Sequence, residues 1–320
     1  MIGRRGFGSL ALSTLGVLAC SRRDGKEQAR AAGPVPVIAA PEDGGTGARG
    51  AVRVLKWTLP AVGVDGAATP TPVVALVPAW GAPGERFPLL VALHGRGEAL
   101  KRPEDGAMGW ARDYELTRAI ARLSAPPLTD VDFEGFSDRG RMVAHNDALR
   151  ARPFGGVIVL CPYLPDLDLV GSHSIRAYGR FVTSTLLPHA RKETPAMEAA
   201  RAAGIDGVSL GGAVALRAGM MHADSFGAVG SLQPAVHEEQ AQDLVALARA
   251  ARTRNPTLAL RLLTSDQDYF KPAVHRVSGA WKSAGISHEI VEVPGPHDYP
   301  FNRGPGALEM LLWHDRVLRS

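Results

Sequence analysis

The sequence predicts a doubly wound α/β domain built on a mostly parallel sheet. Residues 89–93, 156–160, 258–263 and 290–293 are nearly continuous apolar runs, as strands covered on both faces require. Between such runs, apolar residues recur at helical spacing, for example Ile175, Tyr178, Val182 and Leu186. Alternation of this kind, joined by right-handed crossovers, buries both sheet faces under helices.

From the start of the chain, Arg4-Arg5 precede an apolar stretch over 7–19 that ends at Cys20. The stretch is too short to span a bilayer and is flanked like an export signal. Val17-Leu18-Ala19-Cys20 resembles the lipobox of bacterial lipoproteins, which implies an exported chain tethered to the cell envelope through a lipid on Cys20. Arg4-Arg5-Gly6-Phe7 also resembles the start of a twin-arginine export pattern, with general secretion the alternative. Residues 21–50 are small or polar and too poor in apolar surface to order themselves, so they read as a flexible tether.

The folded domain is expected over 51–320. Val52-Arg53-Val54 and residues 71–77 read as an antiparallel edge pair. After the third strand, residues 98–155 break the alternation with a long insertion containing one helix over 110–123, expected to act as a cap or substrate loop. Further helical stripes include Leu244, Leu247 and Ala248, and Leu308, Leu311 and Leu312, all read as core. The formal charge is +4, and no basic stripe interleaved with aromatics appears, which argues against a nucleic-acid partner. There are 2 cysteines, so lipidation of Cys20 would leave Cys161 without a disulfide partner. Cys161, between Leu160 and Pro162, reads as a small core residue.

The most informative segment is Gly207-Val208-Ser209-Leu210-Gly211-Gly212. It lies between a short strand, 203–206, and an Ala-rich helix, so Ser209 sits at the apex of a strand–turn–helix with glycine where a Cβ would collide. Ligands of open α/β sheets bind beyond the carboxyl ends of the strands. Those ends carry His94-Gly95-Arg96-Gly97, Ser265-Asp266-Gln267-Asp268 and Gly295-Pro296-His297-Asp298. A serine hydroxyl needs a base during attack, for which imidazole is suited, and a carboxylate must hold the imidazole's tautomer. His297 fits the base, with Asp268 and Asp266 both placed to supply the acid. The oxyanion hole would use the Leu210 amide and that of Gly95 or Arg96. His94 reads as a structural hydrogen-bonding residue. Tyr163, Gln233 and Tyr269 follow strand ends and are candidates to line the cleft. The other histidines show no metal-ligand spacing, so no metal site is indicated.

Together, Leu93-His94-Gly95, the Ser209 turn, residues 265–268 and 295–298 resemble the α/β-hydrolase superfamily, from about Phe87 to Phe301. Within it they resemble the putative-esterase group that includes esterase D, feruloyl esterase and enterochelin-esterase-like proteins. The resemblance implies an α/β-hydrolase fold and a Ser, Asp, His chain order. It also implies hydrolysis of a small-molecule, carbohydrate or aryl ester through an acyl-enzyme, without metal or cofactor. It favours Asp268 as the acid, because in those enzymes the acid lies a few residues past the strand end. Asp266 is then left to shape the turn. A peptidase or acyltransferase on the same machinery, or a catalytically silent envelope lipoprotein that binds a ligand in the cleft, are the alternatives. The acyl and alcohol parts of the substrate and the oligomeric state are not encoded in any motif.

Overall fold

The computed structural model describes residues 47–62, 67–169 and 172–320. The export signal, Cys20 and the tether up to residue 46 lie outside the described residues. Residues 47–50, expected as the end of the tether, join the fold: Gly47 N–H bonds Ala79 O at 2.7 Å, and the Arg49 guanidinium bonds Phe154 O at 2.6 Å.

Eight strands form one sheet: β1 Val52–Val62, β2 Ala68–Pro78, β3 Leu89–Leu93, β4 Ile158–Pro162, β5 Ala203–Gly207, β6 Ala228–Val229, β7 Ala259–Gln267 and β8 Glu289–Pro296. Their order is β1-β2-β4-β3-β5-β6-β7-β8. The first two strands and the β2–β4 pair are antiparallel, and every pair from β4 to β8 is parallel. This is the doubly wound α/β architecture, with the expected antiparallel edge.

The side-chain period of two explains the apolar runs. Leu89, Val91 and Leu93 of β3 enter one core, while Leu90 and Ala92 enter the other. Ile158 and Leu160 of β4 divide in the same way from Val159 and Cys161. The first core is closed by helices that include Ser172–Phe181, Leu210–Met221, Ala241–Arg254 and Lys271–Ser283. The second lies under Leu116–Ser124 and Ala307–Leu318.

The segment between β3 and β4 differs from the expected cap. Trp110, Tyr114, Leu116, Ile120 and Leu123 are buried in the second core, and no residue of 98–155 lines the cleft described below. Most of its large apolar side chains cover the sheet, while Leu100, Val131 and Val143 are exposed away from the cleft lining. The single helix expected over 110–123 is also divided. A π-helical turn, Gly109–Asp113, is separated from the helix Leu116–Ser124 by Glu115, whose φ is +47°.

Candidate active site

The β3–β5 pairing runs level from Leu89↔Ala203 to Leu93↔Gly207, so the turns that follow both strands meet at the same edge of the sheet. Ser209 occupies the apex of the second turn with φ +57° and ψ −117°, a backbone conformation rarely adopted by a residue with a side chain. Its surroundings hold it there. Ser209 N–H bonds Leu232 O at 3.0 Å, Ser209 O accepts from Ala235 N at 2.9 Å, and Val208 N–H bonds Leu93 O at 3.1 Å. The flanking glycines are sterically required: a Cβ on Gly207 would lie 2.6 Å from Gly211 C, and one on Gly211 would run into the carbonyl oxygens of Leu93 and His94.

The ends of β7 and β8 carry the acid and the imidazole. His297 Nδ1–H donates to Asp268 Oδ1 at 2.9 Å. Asp268 also accepts from Thr264 Oγ1 at 2.8 Å and from Phe270 N at 3.0 Å, and its side chain is 0% exposed. Three donors thus hold this buried carboxylate in one orientation. Asp266, two residues earlier, sits where the β7–β8 register shifts, and its Oδ1 accepts the Gly295 amide at 2.9 Å. Asp268 is therefore the carboxylate that meets His297, and Asp266 ties down the turn.

His297 is 10% exposed at its side chain and lies against the rings of Tyr269, centroids 4.4 Å apart, and Phe270, 5.6 Å apart. Among the described residues no hydrogen bond joins His297 to Ser209. The serine instead faces the Tyr269 phenol. Burial and the Asp268 charge raise the pKa of that phenol, and the hydrogen bond with Ser209 opposes them.

On the other side of Ser209, the turn after β3 brings Gly95 close: a Cβ there would lie 3.8 Å from Ser209 Cβ. Gly95 N–H donates to Tyr114 Oη at 3.3 Å. With that amide engaged, Arg96, which lines the cleft, is the other of the two expected donors of the turn. Arg96 and Leu210 each begin a helix, where the first amide has no intrahelical acceptor. His94 is buried and neutral: burial lowers its pKa, Nδ1–H bonds Gly95 O at 2.9 Å, and Nε2 accepts Leu164 N–H at 2.9 Å. Both ring nitrogens are thus occupied.

Ser209 and Leu210 open onto a cleft of about 550 Å³ whose walls include Leu167, Leu169, His237 and Phe270. Arg96 and Asp166 form an ion pair of 2.9 Å on its rim. Of the three lining candidates, Tyr269 is in the wall and 67% exposed. The other two are not. Tyr163 turns its hydroxyl to Ala99 O at 2.7 Å, and its ring packs beside Gly106. Gln233 is fully buried and donates to Ser265 Oγ at 2.6 Å and Pro296 O at 2.9 Å, bracing the loop that carries His297. A polar residue after a strand can turn inward as readily as outward, which sequence position does not reveal. Phe270 and His237 escaped sequence reasoning, although Phe270 directly follows Tyr269. Cys161 is buried, and burial pushes its thiol pKa up, so it is no competing nucleophile. Among the described residues, no three His, Cys, Asp or Glu side chains cluster as a metal ion would require.

Residues 168–298 match the family described as putative esterase. Solved structures share the fold. A ferulic acid esterase superposes with a TM-score of 0.61 at 16% identity, covering 83% of this chain and 98% of its own. S-formylglutathione hydrolase from Staphylococcus aureus gives 0.56 at 13% identity, with coverage of 83% and 98%. The enterobactin esterase of Shigella flexneri gives 0.52 at 18% identity, covering 83% of this chain and 59% of that one. No curated protein matches the chain in sequence. The family match spans the Ser209 turn and the Asp268 and His297 loops, and most of the chain shares the α/β fold of these hydrolases.

Proposed function

We propose that the protein is a serine hydrolase that cleaves carboxylic esters through an acyl-enzyme. The observation that carries this reading is the Asp268–His297 hydrogen bond of 2.9 Å, with the imidazole packed on Tyr269 and Phe270 of a cleft whose wall also holds Ser209 in a strained turn. When an ester enters, the Ser209 hydroxyl leaves Tyr269 and turns to His297 Nε2, which removes its proton as the oxygen attacks the acyl carbon. Such contacts are often long in an empty site and tighten with substrate. Asp268 fixes the Nδ1–H tautomer and stabilises the imidazolium. The Leu210 and Arg96 amides receive the negative charge of the tetrahedral intermediate. His297 then returns its proton to the leaving alcohol, and a water, activated by the same imidazole, hydrolyses the acyl-enzyme.

The cleft wall combines Leu167 and Leu169 with the rings of Tyr269, Phe270 and His237, which suits an apolar acyl chain or an aryl group. A panel of p-nitrophenyl esters of graded chain length, with feruloyl and acetyl sugars, tests the reading. The wild type should turn over at least one class, and Ser209→Ala should lose activity by roughly 10⁴-fold or more while keeping its fold. A folded Ser209→Ala protein with full esterase activity would refute it.

A further inference from the structure

Behind the oxyanion turn lies a carboxylate that touches nothing in the cleft. Glu98 is 1% exposed, yet it is held by three donors from separate parts of the chain. Its Oε2 accepts the Tyr114 hydroxyl, and its Oε1 accepts the Tyr299 hydroxyl at 2.5 Å and Lys101 Nζ at 3.4 Å. Burying a carboxylate is costly unless such donors satisfy it, and satisfied networks of this kind make the surrounding backbone rigid.

Each donor leads to a part of the proposed site. Tyr114 gives its hydrogen to Glu98 and its lone pair to Gly95 N–H, at 3.3 Å, so the glycine amide that borders Ser209 is tied to Glu98 through one phenol. Tyr299 stands two residues after His297, and its hydroxyl also lies 3.1 Å from where a Gly97 Cβ would be. Lys101 bridges Glu98 to Asp113 at 2.9 Å, which anchors the segment that presents Tyr114. One carboxylate thereby joins the turn over 95–97 to the loop over 297–301.

We propose that Glu98, through Tyr114 and Tyr299, is a positioning residue that holds the oxyanion turn and the His297 loop in a fixed mutual arrangement, leaving the Arg96 amide to face the acyl oxygen. This rests on the esterase reading. The phenol of Tyr114 remains protonated throughout the working range, because burial and the adjacent Glu98 charge both raise its pKa well above the ordinary value. Its hydrogen is therefore always available to Glu98 and its lone pair to Gly95.

Tyr114→Phe and Tyr299→Phe, each missing one oxygen, test the clamp in the full-length protein. Three readouts are needed: kcat and KM on the best p-nitrophenyl ester, the rate of Ser209 phosphonylation by a fluorophosphonate, and the thermal midpoint. Tyr114→Phe should lower kcat and the phosphonylation rate together, by about tenfold, with KM changed less than about threefold, because both reactions use the oxyanion amides and binding does not. Tyr299→Phe, at the partly exposed rim, should lower kcat by about threefold. A variant with a reduced thermal midpoint but wild-type kcat and labelling would show a purely structural network and overturn the proposal. If Tyr114→Phe does not fold, Tyr299→Phe decides alone, and an unchanged kcat overturns the clamp. A wild type that neither turns over esters nor becomes labelled would sink the esterase reading and the clamp with it. An active wild type with unaffected variants sinks the clamp only.

Discussion

Among the described residues two His–Asp pairs are of almost equal length, and only one of them packs against the cleft wall. His297 donates to Asp268 at 2.9 Å at the edge of the sheet, with its ring against Tyr269 and Phe270 of the cleft wall. His314 donates to Asp206 at 3.0 Å beneath the same sheet edge, and both side chains are 0% exposed. Asp206 precedes the Ser209 turn and takes the Gly207 amide at 2.7 Å, so the second pair braces the strand from below. Among the described residues the other nitrogen of His314 has no partner, and it abuts Gly204, where a Cβ would lie 2.5 Å away. A histidine–carboxylate contact is therefore not chemistry by itself. What separates the two is whether the second ring nitrogen can reach a nucleophile and a substrate.

Replacing the imidazoles one at a time gives the largest contrast. His297→Ala should lower kcat by about 10⁴-fold, since the imidazole acts on the proton of Ser209, with a smaller fall in thermal midpoint, since Asp268 keeps its Thr264 and Phe270 donors. His314→Leu should do the reverse, destabilising by about 3 kcal/mol through the buried carboxylate it leaves short of a donor, while kcat per folded molecule stays within a few-fold. Equal losses of kcat in both variants would erase the distinction.

A smaller effect sharpens it through pH. Burial lowers the pKa values of His314 and His94 below the ordinary histidine value despite the Asp206 and Gly95 contacts that oppose it, so both are neutral in the fold. The unfolded chain binds more protons as pH falls past about 6.5, and stability present above that value should decline below it, by up to about 1.4 kcal/mol per pH unit for each group. A second decline follows between pH 4.5 and 2. Burial alone would raise the pKa of Glu309, but hydrogen bonds from His145 and Arg141, with the charge of Arg261, hold it down at about 2. Its stabilising contribution is complete above 4.5 and lost on the way to 2. Urea midpoints measured from pH 8 to 3 check both steps, and a flat profile between 7 and 5 would contradict buried neutral histidines.

Much of the architecture is legible in composition because both faces of the sheet are covered, which makes β3 and β4 unbroken apolar runs and β7 a run interrupted only by Arg261 up to Leu263. The Ser209 turn is legible for a steric reason, since Gly207 and Gly211 have no room for a Cβ. Strand β6 is not, because its two residues between Gly227 and Gly230 carry no periodicity. Residues 98–155 mislead by length alone: their Trp110, Leu116 and Ile120 stripe is an ordinary core face. The Glu98 network is hidden for another reason. Its phenols come from 16 and 201 residues away, and no local pattern announces a contact that only the tertiary fold creates.

The central claim is that Ser209 is the nucleophile and depends on His297. Incubating the protein with a fluorophosphonate and mapping the adduct by peptide mass spectrometry tests it directly. The expected result is a single phosphonylated residue, Ser209, with labelling nearly abolished in His297→Ala and retained in His314→Leu. A modified side chain other than Ser209, or labelling of Ser209 that is indifferent to His297, would contradict it.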